Sequence, residues 1–257
     1  MKKSPVCLFA MAALLGALIA VPSATAAGFN FSAHLFQGCF ATAPAKCVPN
    51  EGEAENVNDS VEQGALLTSF GYLSPGTFGY AGLKFSVPGQ PFTFADLTTL
   101  QTDYELGWGN CGGGSPRWQV TVLTPSGQKA NIQVYVGPTA SDNGDPCNEA
   151  MGTEVNTGNY IGAASCGDSS LRYDDSQLGG SATSDYSATL GLYGSYPVVG
   201  LSFVVDGGWS QPQNEQQVFV DRVQVGGTVH GTTSTTTNYP EKTGSADNDN
   251  STAPLCN

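Results

Sequence analysis

Short runs in which apolar and polar residues alternate dominate the middle of the chain. A period of two places one set of side chains on a buried face of a β-strand and the other set in water. The alternating runs are residues 83–87, 117–122, 129–136, 186–192 and 199–205, with a further apolar run at residues 218–225. No window longer than two turns shows the period of 3.6 residues that an amphipathic helix needs. The pattern therefore predicts a protein built from many short strands.

The segments between these runs are rich in Gly, Pro, Asn, Asp and Ser, which is typical of turns. Residues 124–127, Thr-Pro-Ser-Gly, separate two of the runs and predict a hairpin turn. About eight to eleven strands without intervening helices favour two packed antiparallel sheets. We therefore predict an all-β fold, a single antiparallel and jelly-roll-like β-sandwich, over residues 63–228.

Two flanking segments lack the strand pattern. Residues 28–62 are predicted to be irregular and acidic, with Glu51–Glu55 as a solvated loop. Residues 229–257 consist mainly of Thr, Ser, Asn, Asp and Gly. A segment with so few apolar residues cannot bury enough surface to offset the entropy lost on ordering. We therefore expect a flexible C-terminal tail there.

The N-terminus has the three parts of a secretory signal peptide. A basic start at Met1-Lys2-Lys3 precedes an apolar run over residues 6–21 and a small-residue cluster over residues 22–27. The alternative is a membrane anchor, but the run is short for a span of about 20 residues. We expect cleavage after residue 27, a secreted extracellular or periplasmic protein, and no membrane span in the mature chain.

The mature chain is strongly acidic. Of nine basic residues, Lys2 and Lys3 leave with residues 1–27, so 7 basic residues face 22 acidic ones and the net charge is −15. Such a field repels nucleic acids and anionic lipid surfaces. It is compatible with calcium, with neutral sugars or with solubility alone. We expect no nucleic-acid partner and a monomer.

Six cysteines follow the signal peptide, and an even number in an exported chain predicts disulfides. Zinc is the alternative, but the chain has no CxxC motif and only two histidines, His34 and His230, that could assist. Cys39–Cys47 is the natural local pair. Cys111–Cys147 would join a glycine-rich loop to the loop after the next two strands, which leaves Cys166–Cys256.

Three tryptophans are the candidate ligand-binding aromatics. Trp118 lies on the apolar face of its run and is predicted to be core. Trp108 and Trp209 stand in turn-rich segments, where exposed rings stack on sugars while polar neighbours such as Asn110 and Gln211 bond the hydroxyl groups. The alternative is ordinary packing, because tryptophan is usually well buried.

Asp221 is the candidate metal-binding residue. It shares strand parity with Phe219, Val223 and Val225, and a carboxylate on an apolar face needs a partner. The partner is a cation such as Arg117 or Arg172, a set of backbone N–H groups, or a structural calcium ion. Two other oxygen-rich loops, residues 142–145 and 174–175, do not match the spacing of an EF-hand.

Catalytic chemistry finds little support. A Ser-His-Asp set would have to use one of the two histidines in the flanking segments, and no GxSxG motif occurs. A glycosidase pair among the 22 acids stays open, because only spatial separation identifies one. We assign no catalytic residue and leave open whether the protein is an enzyme.

Four segments carry a resemblance to known proteins, namely Gly79–Phe85, Phe94–Leu100, Cys111–Trp118 and Val218–Val225. The first three resemble secreted bacterial jelly-roll domains, and the last resembles the closing strand of galactose-binding-like, carbohydrate-binding modules. The resemblance covers residues 64–228 and implies a jelly-roll fold, without transferring any binding residue. We expect an extracellular, non-catalytic carbohydrate-binding module. The alternatives are a structural, cell-surface or matrix protein and a jelly-roll glycan hydrolase or lyase.

Overall fold

A computed structural model describes most of the region between residues 33 and 230. The described residues are 33–42, 46–47, 51–58, 63–71, 76–89, 92–109, 111, 114–136, 152, 154–162, 172–210, 214–226 and 228–230. The strands of this part are β1 (Ala33–Ala41), β2 (Gly52–Asn58), β3 (Gln63–Phe70), β4 (Thr77–Phe85), β5 (Leu100–Trp108), β6 (Arg117–Leu123), β7 (Lys129–Tyr135), β8 (Val155–Asn156), β9 (Tyr173–Asp174), β10 (Val198–Val205), β11 (Glu215–Val225) and β12 (Thr228–His230).

The strands form two antiparallel sheets. The first sheet has the order β1-β4-β10-β6-β7-β9, and the second has the order β2-β3-β11-β5-β8 with β12 paired to β11. β6–β7, β2–β3 and β11–β12 pair as consecutive strands, whereas the other neighbours come from distant parts of the sequence. This arrangement confirms the predicted antiparallel β-sandwich.

The core lies between the sheets and is formed by the apolar positions of the alternating runs. Trp118 is fully buried there, between Phe85 and Phe203, with ring centroids 5.7 and 5.3 Å from its own. Its prediction as a core residue is confirmed. The hairpin between β6 and β7 also follows the prediction, because Gly127 supplies the φ of +78° that closes the turn.

One predicted strand is wrong. Residues 186–192 lie in an α-helix, α1 (Tyr186–Tyr193), although their apolar residues alternate. The Asp185 carboxylate accepts a hydrogen bond from the Ala188 N–H and caps the helix. The buried side chains are Tyr186, Thr189 and Tyr193, which share one helical face. Local capping and this burial outweigh the period-two pattern.

The predicted limits of the sandwich are too narrow at both ends. Strands β1 and β2 lie within residues 28–62, which we expected to be irregular, and Glu51 is buried although we expected a solvated loop. β2 is at a sheet edge, where Glu53 and Glu55 point to solvent while Ala54 packs on the core. A strand buried on one face tolerates such residues. At the other end, β12 takes residues that were assigned to the tail.

A disulfide joins Cys39 to Cys47, as predicted. Cys111 is also disulfide-bonded, but the partner predicted for it, Cys147, lies outside the described residues. Cys166, Cys256 and the signal-peptide segment lie outside them too. Within the described part, no helix has the length and apolar character required to cross a membrane.

Candidate functional site

A groove runs along the outer face of the first sheet, on the side away from the core. Its floor is β10, whose outward positions carry Gly200, Ser202 and Val204. Ser202 lies opposite Lys84 of β4 on one side and opposite Gln119 of β6 on the other. Small residues between longer ones leave a trough of about 670 Å³.

The groove wall on the β4 side is aromatic. The ring of Tyr80 lies against Phe36 of β1, with the centroids 6.0 Å apart. The Tyr80 hydroxyl covers Gly38, where a Cβ would stand only 2.4 Å from that oxygen. A glycine at this position therefore lets the tyrosine lie across β1.

Polar groups face the aromatic wall. Within the described residues, the side chains of Gln119 and Ser202 make no hydrogen bond. At one end of the groove, both terminal guanidinium nitrogens of Arg117 donate hydrogen bonds to the Asp206 carboxylate, at 2.5 and 2.6 Å. This paired geometry holds the arginine in place. The groove thus offers an apolar ring, an amide and a hydroxyl to a ligand.

Three carboxylates meet on the outer face of the second sheet. Asp103 of β5 lies directly opposite Asp221 of β11, and Glu154 precedes β8. One oxygen of each lies within 4.8 Å of the others. Arg222 forms ion pairs with Asp103 and Glu154, and Asn156 donates a hydrogen bond to Asp103. We name Asp103, Glu154 and Asp221 the carboxylate cluster.

A β-bulge directs Asp221 into the carboxylate cluster. The ladder with β5 shifts register just after Asp221, and Arg222 has a φ of +36°, which non-glycine residues rarely adopt. The extra residue reverses the alternation of the strand. Asp221 therefore shares a face with Phe219, as predicted, whereas Val223 and Val225 lie in the core and not beside it.

Burial controls the protonation of the carboxylate cluster. Only 7% of Asp221 is exposed. Burial, followed by repulsion from Glu154 and Asp103, raises the pKa of Asp221 to about 10. Burial and hydrogen bonding to Asp103 raise the pKa of Glu154 to about 7, against the lowering effect of Arg222. Asp221 is therefore protonated at neutral pH.

The arginines predicted to pair with Asp221 bind elsewhere. Arg117 pairs with Asp206 in the groove, and Arg172 donates to a main-chain carbonyl while it covers the ring of Tyr160. The cation of the carboxylate cluster is instead Arg222, which pairs with Asp103 and Glu154. The oxygen-rich loop at residues 174–175 is also occupied by structural bonds, because its carboxylates accept hydrogen bonds from serine, threonine and tyrosine side chains or main-chain N–H groups.

Each predicted tryptophan segment lies next to the beginning of β11. Trp108 ends β5, is 43% exposed and pairs with Gln217 of β11. Trp209 belongs to a short 3₁₀ helix, Gly207–Ser210, whose first N–H donates to the side chain of Gln216. The Trp209 side chain lies outside the described part, as do Asn110 and Gln211.

Sequence reasoning missed Asp103, Glu154 and the groove. Asp103 had a signal, because an acid stands between Leu100 and Leu106 in a strand with a buried face. Glu154 had no such sequence signal, since only the tertiary fold brings its loop close to β11. Lys84, Gln119 and Lys129 were predicted on the polar side of their runs, but strand order alone determines which of these groove residues are neighbours.

Comparisons of the chain with protein-family models, with curated proteins and with solved structures found no match.

Proposed function

We propose that the chain is an extracellular, non-catalytic binding module that holds a carbohydrate in the groove along β10. The observation that carries the proposal is the groove itself, where an aromatic wall faces hydrogen-bonding groups across a floor of small residues. The signal-peptide pattern and the Cys39–Cys47 disulfide support an extracellular location.

Carbohydrate suits this combination of groups. A sugar ring presents apolar C–H faces, which pack on aromatic rings, and a rim of hydroxyl groups, which need donors and acceptors. Tyr80 supplies the ring, while the Gln119 amide and the Ser202 hydroxyl supply both kinds of hydrogen-bonding group. The groove is open along β10, so it accommodates an extended chain of sugars better than a compact molecule.

The proposal is tested by measuring retention of the mature protein on a glycan array and in gels that contain polysaccharides. Tyr80→Ala and Gln119→Ala should each weaken binding about tenfold, as expected for a lost ring contact or a lost hydrogen bond. Gln128→Ala is the matched control, because Gln128 is exposed in the β6–β7 turn outside the groove. Absence of retention on every glycan would refute the proposal.

Trp108 provides a second location for the same ligand class, because this residue is 43% exposed at the end of β5. Trp108→Ala separates the two locations. If this variant loses retention while Tyr80→Ala keeps it, the ligand binds at the end of the second sheet. If the reverse holds, the groove is the site.

The proposal also includes a structural calcium ion at the carboxylate cluster. Two observations support it: three carboxylate oxygens converge, and the buried Oδ1 of Asp221 has no hydrogen-bond partner in the described part. Calcium prefers such oxygen ligands. It would displace the proton that Asp221 carries without the ion, so calcium affinity should increase as the pH rises.

The carboxylate cluster does not favour the alternative of a glycan hydrolase. A glycosidase needs two carboxyl groups in an open groove, about 5–10 Å apart. The side chain of Asp103 is 1% exposed and that of Glu154 is 7% exposed, so a polysaccharide cannot reach them. The structural or matrix alternative rests on the tail as a spacer, and residues 231–257 of the tail lie outside the described part.

A further inference from the structure

The groove along β10 has an unusual charge for this protein. The mature chain has 7 basic residues against 22 acidic ones, yet Lys84, Arg117 and Lys129 all line the groove. The acidic residue among the lining residues is Asp206, which is paired with Arg117. The groove is therefore positive within a strongly negative molecule.

Two of these cations have no anionic partner among the described residues. Lys84 and Lys129 are exposed, and neither forms an ion pair with any described residue. Their ammonium groups are therefore available to a negatively charged ligand, and the groove offers such a ligand positive charge within an acidic chain.

We propose that the natural ligand of the groove is an acidic polysaccharide, a sugar chain that bears carboxylates. This inference rests on the proposed carbohydrate-binding function. The carboxylates would contact the ammonium groups of Lys84 and Lys129, while Tyr80 and Gln119 contact the sugar rings between them. Arg117 stays bound to Asp206 and frames one end of the groove.

The spacing of the two lysines favours a polymer over a small anion. Three strand intervals separate β4 from β7, and Lys84 is level with Gln133, four residues along β7 from Lys129. With strands about 4.8 Å apart and a rise of about 3.3 Å per residue, the two Cα atoms are about 20 Å apart. One small anion cannot contact both lysines, whereas an extended polymer with repeated charges can.

The lining of the groove decides between two kinds of polyanion. A nucleic acid and an acidic polysaccharide both meet repulsion from the surrounding acids once they extend beyond the groove. Screening at physiological salt, with a Debye length of about 8 Å, limits this repulsion to the immediate neighbourhood. Within the groove, Tyr80, Gln119 and Ser202 offer a ring and hydrogen-bonding groups that suit sugars beside the two lysines. This combination favours an acidic polysaccharide.

The experiment compares polygalacturonate with its carboxyl-reduced form, which keeps the sugar backbone and loses the charge. Affinity of the mature protein for both polymers is measured by affinity electrophoresis and calorimetry, with single-stranded DNA as a third probe. We expect polygalacturonate to bind more tightly than the reduced polymer, and this difference to shrink as salt is raised.

Charge-neutral variants locate the effect. Lys84→Gln and Lys129→Gln should each weaken polygalacturonate binding about fivefold, the effect of losing an exposed ion pair, and leave binding of the reduced polymer unchanged. Lys46→Gln is the matched control, because it removes the same charge beside the Cys39–Cys47 disulfide, away from the groove. It should change neither affinity.

The outcomes distinguish the acidic-ligand proposal from the proposed carbohydrate-binding function on which it rests. The acidic-ligand proposal is refuted if both polymers bind equally, or if the lysine variants bind polygalacturonate as tightly as the wild type does. Neither result contradicts the proposed carbohydrate-binding function. Binding of DNA in preference to polygalacturonate also refutes the acidic-ligand proposal. If neither polymer binds and the glycan array is blank, the proposed function itself fails.

Discussion

Replacement of Asp221 by asparagine should change how the stability of the protein depends on pH. The folded protein holds this carboxyl group protonated, with a pKa raised to about 10 by burial and by the neighbouring carboxylates. In the unfolded chain an aspartate ionises near pH 3.9. Folding at neutral pH therefore requires uptake of a proton, and the wild-type protein loses stability as the pH rises from about 4 towards about 10.

The size of the effect follows from the two pKa values. Between the unfolded and the folded pKa, the free energy of unfolding falls by about 1.4 kcal/mol for each pH unit. At pH 7 it is therefore about 4 kcal/mol lower than near pH 4. Asparagine has nearly the same shape, stays neutral at every pH and can donate to Glu154 as the protonated acid does. The wild type should therefore lose stability between pH 5 and pH 7, whereas Asp221→Asn should not lose this contribution. The free energy of unfolding of the variant, relative to the wild type, should rise by up to about 3 kcal/mol over that range.

The assay is urea unfolding of both proteins in EDTA from about pH 5 to about pH 8, followed by tryptophan fluorescence. Glu215→Gln, at the start of the same strand and only partly buried, controls for the loss of an acid. Its unfolding free energy should follow the wild-type pH dependence. Parallel curves for Asp221→Asn and the wild type would mean that Asp221 is ionised in the folded protein, and the reasoning would be refuted.

Three further predictions concern the metal, the core and the helix. Calcium at millimolar concentration should raise the thermal unfolding midpoint of the wild type, and EDTA should reverse the rise. The rise should be larger at pH 8 than at pH 5, because the ion must displace a proton. An unchanged midpoint would remove calcium as a structural ligand. Trp118→Ala should cost about 3–5 kcal/mol in urea unfolding, because the cavity between Phe85 and Phe203 cannot close, and a loss below about 1 kcal/mol would contradict that packing. Asp185→Ala should lower the free energy of unfolding by about 1 kcal/mol, because it removes the cap of α1. Asp185→Asn should keep most of this stability, since asparagine also caps helices. Equal losses in the two variants would count against capping.

Much of the fold could be predicted because side-chain periodicity is a local property. The runs around Leu83, Trp118 and Ile132 alternate, and each lies in a strand with its apolar side in the core. The same reasoning failed at residues 186–192, where the identity of the buried side chains depends on what packs against them. It also missed β2, whose single buried face leaves a weak apolar signal.

The candidate site was less accessible to sequence reasoning. Asp221 was identified because a carboxylate in an apolar strand must have a partner, and this reasoning holds at the level of one strand. Its neighbours Asp103 and Glu154 come from elsewhere in the chain, so only the pairing of β11 with β5 brings the three together. The bulge at Arg222 could not be foreseen either, since it depends on a register shift between two strands.

The sequence by itself determined the class of the fold, the burial of Trp118 and the local Cys39–Cys47 bridge, because these depend on periodicity, apolarity and short separation along the chain. Tertiary structure decided which outward residues are neighbours. Lys84 and Gln119 are 35 positions apart in the chain, yet both flank Ser202, because β10 inserts between their strands. A groove is a property of strand order, and strand order depends on contacts between distant segments that no local pattern encodes.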